Sequence, residues 1–300
     1  MEKKETKKPG KIATFFLCLL VIIAGLLSQV ISSAILTAIE TAKAISNGSI
    51  DINGDFQSAY TAFFSNSDIL QRAEFVALLT MTILASLWYY FVFIKKEKKN
   101  GTYESVIPKI KDEPLTIPFL VIASIACFSC GSIIDIAATA MMPNTAALLE
   151  KVFGAIINDN IVLTLMSVVI LAPLGEEIID RGIIAKISRR SYGMIGCMVI
   201  SAVMFAIFHM NPIQGLYVIP MGLFWGYLAY KYKSVIPSMF CHAFNNLMGV
   251  YSPSSLIEGN KVVIHIIVML IAGAAAFYIG SRIKILTDKP SEQISSLSQS

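Results

Sequence analysis

Residues 12–39 read IATFFLCLLVIIAGLLSQVISSAILTAI and contain no charged side chain. A helix needs about 20 consecutive apolar residues to cross the hydrocarbon core of a bilayer, and this run exceeds that length. It also exceeds the roughly 7–15 residues of a signal-peptide core, so we expect a spanning helix that stays in the protein. The whole chain agrees with this, because 55% of its 300 residues are hydrophobic and only 15% are charged.

Similar apolar runs recur along the chain, separated by short polar links. The further candidate segments are 74–94, 115–141, 160–175, 193–210, 213–230, 234–250 and 262–282. We therefore expect an all-α fold, a polytopic membrane helix bundle of about eight transmembrane helices in the cell membrane. One alternative stays open, since residues 160–190 form either one long helix or a span broken at Pro173 and Gly175.

The lysines and arginines are placed unevenly along the chain. The basic clusters are 3–11, 95–99, 186–190, 231–233 and 282–289. With eight spans, all of these clusters fall on one side of the bilayer, which predicts that both termini lie in the cytoplasm. The formal net charge of +4 is too small to indicate a nucleic-acid partner. The partner expected on composition is the lipid bilayer.

Ionisable residues in membrane segments are costly, and each needs a partner or a function. They are concentrated in three stretches: APLGEEIIDRG (172–182), FAIFHMN (205–211) and CHAFNN (241–246). His265 stands alone in another segment, and for a lone histidine we favour a packing role.

Helical spacing assigns different roles to the charges of the first stretch. Glu177 and Arg181 are four residues apart, which places them on one face as an ion pair. Glu176 lies about 100° further round the helix and lacks that cation, so it is the candidate general base. Asp180 shares a face with Glu176. Taken alone, the Glu177–Arg181 pair is equally consistent with a structural ion pair at a helix end.

Depth in the membrane brings the three stretches together. If the chain turns near Ser191, Glu176 lies about 22 Å and His209 about 27 Å along antiparallel arms. A second turn near Lys233 places His242 and Asn246 about 14 and 20 Å along the next helix. A carboxylate, two imidazoles and an amide at similar depth make a plausible hydrolytic centre.

These residues resemble a known family. Glu176-Glu177-x-x-x-Arg181, Phe205-x-x-x-His209 and His242-x-x-x-Asn246 look like the three-motif signature of the CAAX protease and bacteriocin-processing family. Its members are intramembrane glutamic endopeptidases similar to the Ras-converting enzymes. The resemblance covers roughly residues 115–255. Asp180 departs from the pattern, because relatives often carry an aromatic or apolar residue there.

The resemblance implies a role for each motif residue. Glu176 would activate the hydrolytic water, His209 would help to hold that water, and His242 with Asn246 would stabilise the oxyanion. Glu177 and Arg181 would support the site. The family has also been described as metal-dependent, and Glu176 with His209 and His242 could bind zinc. The favoured expectation is a site without metal or other cofactor.

The expected function is therefore an intramembrane endopeptidase that acts on a peptide or a membrane-anchored protein. The sequence thus predicts three regions along the chain: an N-terminal transmembrane part with two helices (1–110), a protease core (111–285) and a disordered Ser/Gln-rich tail (286–300). The alternative from a different class is a non-catalytic membrane protein, such as a bacteriocin immunity protein or a scaffold or regulator of secretion.

Overall fold

The protein is described here by a computed structural model that covers residues 10–51, 54–65, 68–156, 160–251 and 261–287. Within these ranges the chain is helical and has no β-strand, which confirms the all-α fold. This is the expected solution in lipid, because a helix satisfies its backbone hydrogen bonds internally. Most of the first basic cluster and of the predicted disordered tail lie outside the described residues.

The helical run Ile161–Phe208 is a hairpin and not a single rod. Gly193 has φ 70° and ψ −167°, a conformation that a glycine adopts without steric cost and that interrupts the helix. Ser201 Oγ donates to the carbonyl oxygen of Asp180 at 3.0 Å. On a straight helix these residues would be roughly 32 Å apart, so the chain must reverse between them. The turn predicted near Ser191 is therefore present at Gly193.

With this division the helices can be numbered along the chain. They are α1 (Lys11–Ser46), α2 (Phe56–Ser65), α3 (Ile69–Lys99), α4 (Val106–Asp112), α5 (Thr116–Met141), α6 (Pro143–Ile156), α7 (161–192), α8 (194–208), α9 (Pro212–Tyr232), α10 (Ile236–Tyr251), α11 (Lys261–Gly280) and α12 (Lys284–Thr287).

In the described ranges, five helical stretches are long and apolar enough to cross a membrane: α1, α3, α5, the α7–α8 run and α11. The bundle is therefore polytopic. The predicted segments correspond to α1, α3, α5, α7, α8, α9, α10 and α11. Among these, α10 has only 16 residues, fewer than the about 20 that a full crossing needs. Residues 160–190 form one continuous helix, which settles the alternative left open by Pro173 and Gly175.

Two clusters of buried apolar side chains hold the bundle together, and α8 contributes to both. One cluster joins α8 to α5, α9 and α10 through Phe205, Trp225 and Cys241. The other joins α8 to α1, α3 and α7 through Met204 and Ile179. Helix α8, which ends just before His209, is thus fixed on both sides. The N-terminal helices pack directly against α7, while the domain boundary near residue 110 stays a prediction.

Helix α7 is locally widened on both sides of the acidic pair. Wide π-helical turns occupy Leu165–Leu171 and Ile178–Ile184, and ordinary α-helix occupies Ala172–Glu177 between them. Pro173 lacks an N–H and would clash with a carbonyl of the preceding turn, so a wider turn accommodates it without breaking the helix. Gly175 allows close approach of α3, since a Cβ there would meet Thr82 Oγ1 at 2.7 Å.

Candidate active site

The three motifs converge from α7, α8 and α10. Glu176 and Glu177 lie in the α-helical part of α7, His209 follows the last residue of α8, and His242 lies on α10. Glu177 is fully buried, and Glu176 and His242 have exposures of 9% and 3%. Charged and polar side chains buried to this extent are costly unless they form hydrogen bonds or ion pairs.

Glu177 and Arg181 form the ion pair that their spacing predicts. Arg181 Nη1 donates to Glu177 Oε1 at 2.8 Å, and both side chains are completely buried. Arg181 Nη2 donates to the carbonyl oxygen of Gly222 on α9 at 3.1 Å. The guanidinium therefore connects α7 to α9, and its charge is balanced by Glu177 and not by Glu176.

His242 lies between the two glutamates. Its Nδ1 is 3.0 Å from Glu177 Oε1, a hydrogen bond in which the ring nitrogen donates to the carboxylate. Its Nε2 is 3.7 Å from Glu176 Oε2, too long for a direct hydrogen bond but suited to a bridging water. The supporting pair thus acts on His242 directly, a contact that the sequence did not predict.

Two aromatic rings enclose the polar groups. The indole of Trp225 stacks on the imidazole of His242 with centroids 4.3 Å apart and an angle of 19°. The ring of Phe205 packs nearly perpendicular to both imidazoles, with its centroid 5.5 Å from that of His242 and 4.7 Å from that of His209. The Arg181 guanidinium lies 4.7 Å from the centre of the Phe205 ring. The rings restrict the orientation of the two imidazoles and line the site with apolar surface.

His209 is connected to the other site residues through its contacts with Phe205. Its Nδ1 lies 2.8 Å from the carbonyl oxygen of Phe205, so this nitrogen carries the proton and donates. In the neutral ring Nε2 then has a free lone pair. In the described part of the chain His209 makes no hydrogen bond or ion pair with Glu176, so the predicted convergence of these two residues does not take the form of a direct contact.

Asn246 points from α10 toward α7. Its Nδ2 donates to the carbonyl oxygen of Val168 at 2.9 Å, within the first wide turn of α7. An amide nitrogen has two N–H groups, so one donor remains for a ligand. Asn246 therefore holds the two helices together in this state, and its oxyanion role stays a prediction.

Asp180 is the anomalous group of the cluster. It is fully buried, and neither carboxyl oxygen has a hydrogen-bond partner in the described structure. Such a group is costly, because burial removes hydration without replacing it. A buried carboxyl group without partners is thus expected to destabilise the fold locally.

The remaining question is whether the site residues could bind a metal ion. The donors of Glu176, His209 and His242 are of the type that zinc prefers. Among the residues that the structure describes, however, no group of three His, Cys, Asp or Glu side chains is arranged to hold a metal ion. The expectation of a site without metal stays a prediction.

Two contributors to the site lay outside the sequence motifs. Trp225 and Gly222 are both on α9, in a segment read only as a membrane span. Trp225 offered a weak signal, because it is one of only two tryptophans in the chain. Gly222 offered little, since a backbone carbonyl leaves no side-chain signature, although a Cβ there would meet Arg181 Nη2 at 3.0 Å and Ala202 Cβ at 3.1 Å.

Part of the chain matches a known family. Residues 158–248 match the family model described as type II CAAX prenyl endopeptidase Rce1-like. No curated protein and no solved structure matches the chain. The matched region is shorter than the 115–255 expected from the motifs, but it contains every motif residue from Glu176 to Asn246. Over this region the chain is similar to the Rce1-like CAAX prenyl endopeptidases.

Proposed function

We propose that this protein is an intramembrane endopeptidase in which Glu176 activates the hydrolytic water without a metal. The family match supports a protease in general, and the proposal adds the reaction type and the residues that perform it. Because the site lies between spanning helices, the substrate would be a peptide or protein anchored in the membrane, here the cell membrane.

The observation that carries the proposal is the 3.7 Å gap between Glu176 Oε2 and His242 Nε2. A water in this gap would contact both groups, and Glu176, a nearly buried carboxylate that is not the partner of Arg181, would accept a proton from it. The hydroxide formed would attack the scissile carbonyl carbon, and Glu176 would later deliver the proton to the leaving amine.

The negative oxygen of the tetrahedral intermediate needs donors. His242 would provide one from Nε2 when it carries protons on both ring nitrogens, with its charge and that of Arg181 offset by Glu177 and Glu176 together. Asn246 would provide the second from its remaining N–H. His209 would accept a hydrogen bond from the water at Nε2, since its Nδ1 is committed to the Phe205 carbonyl.

The direct test is Glu176→Gln in purified protein, assayed on a membrane-anchored peptide. This change preserves shape and removes the base, so turnover should fall by at least about a hundredfold while the melting temperature is maintained. Glu150→Gln, on an exposed residue of α6, is the matched control and should keep full activity. Full activity in Glu176→Gln, or unchanged biological function at normal abundance, would favour the non-catalytic alternative.

The metal question has its own experiment. Zinc chemistry would require neutral imidazoles as ligands, and a chelator that removes the zinc would abolish activity. Under our proposal, prolonged treatment with a strong chelator leaves turnover unchanged, and active protein contains far less than one equivalent of metal. Loss of activity on chelation with recovery on adding zinc would replace the metal-free mechanism by a zinc-dependent one.

A further inference from the structure

Charge is distributed very unequally between the two ends of the bundle. One end is formed by segments 10–14, 95–114, 186–193, 230–235 and 281–287. Its cations are Lys11, Lys95, Lys96, Lys98, Lys99, Lys109, Lys111, Lys186, Arg189, Arg190, Lys231, Lys233, Arg282 and Lys284. Its acids are Glu97, Glu104, Asp112 and Glu113. We call this region the basic end.

Contacts between the segments show that the basic end is one continuous surface. Lys186 on α7 pairs with Glu97 on α3. Glu104 accepts hydrogen bonds from both Lys109 and Lys233. Three further contacts complete the ring of segments: Thr14 with Ser191, Tyr192 with Lys11, and Lys284 with Glu113. Clusters separated in sequence thus meet at one face, as the sequence predicted.

The opposite end has no such excess in the described residues. Its cations are Lys43, Arg72, Lys151 and Lys261, and its acids are Glu40, Asp51, Asp55, Asp68 and Glu150. Several of these neutralise each other locally, as in the pairs of Arg72 with Asp68 and of Lys43 with Glu40. This end provides a natural control for any effect of surface charge.

Aromatic rings lie immediately beside the cations of the basic end. Lys98 Nζ is 5.9 Å from the ring centre of Tyr90 and 5.1 Å from that of Tyr103. Lys95 Nζ is 5.6 Å from the ring centre of Phe91, which is itself 58% exposed. Exposed rings beside lysines are typical of the headgroup level of a membrane, where the ring enters the lipid and the ammonium stays at the phosphates.

We propose that the basic end binds the headgroups of anionic phospholipids in the leaflet that it faces. Three observations support a lipid over a soluble anion: the charge excess covers a whole face, the lysines border exposed apolar rings, and the same helices continue into the bilayer. Lipid phosphates would then be held by the 95–99 cluster and by Arg189 and Arg190, all of which are exposed apart from Glu97.

The experiment measures lipid retention directly. Full-length protein in a neutral detergent is mixed with phosphatidylglycerol or with phosphatidylcholine of identical chains, and bound lipid is counted by native mass spectrometry. A few lysines near a surface favour the anionic lipid by roughly tenfold or more. The basic-end variant carries Lys95→Gln, Lys96→Gln, Lys98→Gln and Lys99→Gln. The control variant carries Lys43→Gln, Lys151→Gln and Lys261→Gln at the opposite end.

The parent and the control should prefer phosphatidylglycerol, whereas the basic-end variant should lose most of that preference. Raised salt should weaken it in the parent. Equal retention of the two lipids by the parent, or equal loss in both variants, would overturn the proposal. Displacement of the lipid by an equal concentration of glycerol phosphate would also overturn it, in favour of a soluble anion. If the fourfold variant melts early without lipid, Arg189→Gln with Arg190→Gln replaces it.

Discussion

The indole of Trp225 lies face to face with the imidazole of His242, with ring centroids 4.3 Å apart and the planes within 19° of parallel. Glu177 holds the Nδ1 edge of the same imidazole at 3.0 Å. Two contacts on different parts of the ring leave its plane and its rotation fixed. The free Nε2 is thereby aimed at Glu176, which is the geometry that the proposed reaction needs.

Loss of the stacking ring should therefore reduce turnover more than substrate binding. We expect Trp225→Leu to lower kcat by roughly ten- to a hundredfold with little change in KM, because a tilted imidazole misplaces Nε2. Trp225→Phe keeps a flat ring and should recover most of the rate. The measurement is kcat and KM on one substrate for the parent and both variants. Equal kcat losses in Leu and Phe variants would assign Trp225 a space-filling role only.

The Glu177–Arg181 pair should matter for stability as well as for rate. Arg181→Ala leaves a buried carboxylate without its cation, which costs about 3–5 kcal/mol. We expect a lower melting temperature in detergent and lower activity, since His242 loses its support. Glu177→Gln should show the same changes more mildly, because it keeps a hydrogen-bonding oxygen.

Glu176→Gln is the contrast to both variants. Its melting temperature should equal or exceed that of the parent while its turnover falls, because a nearly buried charge is removed and the Glu177–Arg181 pair stays intact. A parent-like melting temperature in Arg181→Ala, or collapse of Glu176→Gln, would contradict the division into a catalytic Glu176 and a supporting pair.

Sequence patterns were sufficient where the relevant geometry is local. The four-residue spacing of Glu177 and Arg181 fixes their relative position on any helix, so their ion pair could be predicted. The hairpin could be predicted for a similar reason, because apolar runs on both sides of a short polar stretch near Ser191 must reverse to return through the bilayer. The turn itself falls at Gly193, the residue that tolerates a positive φ.

Geometry that depends on how neighbouring helices rotate could not be predicted. Spacing places His242 at the correct depth, but the rotation of α10 decides whether its ring meets Glu176, Glu177 or His209. The stacking of Trp225 depends likewise on the register between α9 and α10. Single-helix periodicity contains no information about either angle, since both are set by the packing of whole apolar clusters.

Replacing Asp180 tests whether its buried carboxylate lowers the stability of the protein. Its carboxyl oxygens are buried without hydrogen-bond partners, so replacing the side chain by a neutral one removes a desolvation cost. We expect Asp180→Val, an apolar residue of similar volume, to raise the melting temperature, with a gain of about 1–3 kcal/mol in unfolding free energy. Turnover is measured in parallel. A lower melting temperature would mean that the carboxylate has a partner that stabilises it.

The last prediction concerns acid sensitivity at the basic end. Hydrogen bonds from Lys109 and Lys233 hold the pKa of Glu104 below its ordinary value of 4.5. Its charged form is therefore favoured in the folded state, and the stabilisation is present above that ordinary value and is lost as pH falls through the folded pKa. The side chain is 44% exposed, so solvent screening keeps the effect below about 1 kcal/mol.

We expect Glu104→Gln to melt slightly earlier than the parent at pH 7, with the difference closing as pH falls below about 4.5. The difference at pH 7 should also shrink at high salt, because the ion pairs are accessible to counterions. Melting temperatures across pH 3–7 in a nonionic detergent measure both trends. Glu150→Gln controls for removal of an exposed carboxylate from α6. Parallel pH curves for the parent and Glu104→Gln would show that the lysine bridge does not contribute to stability.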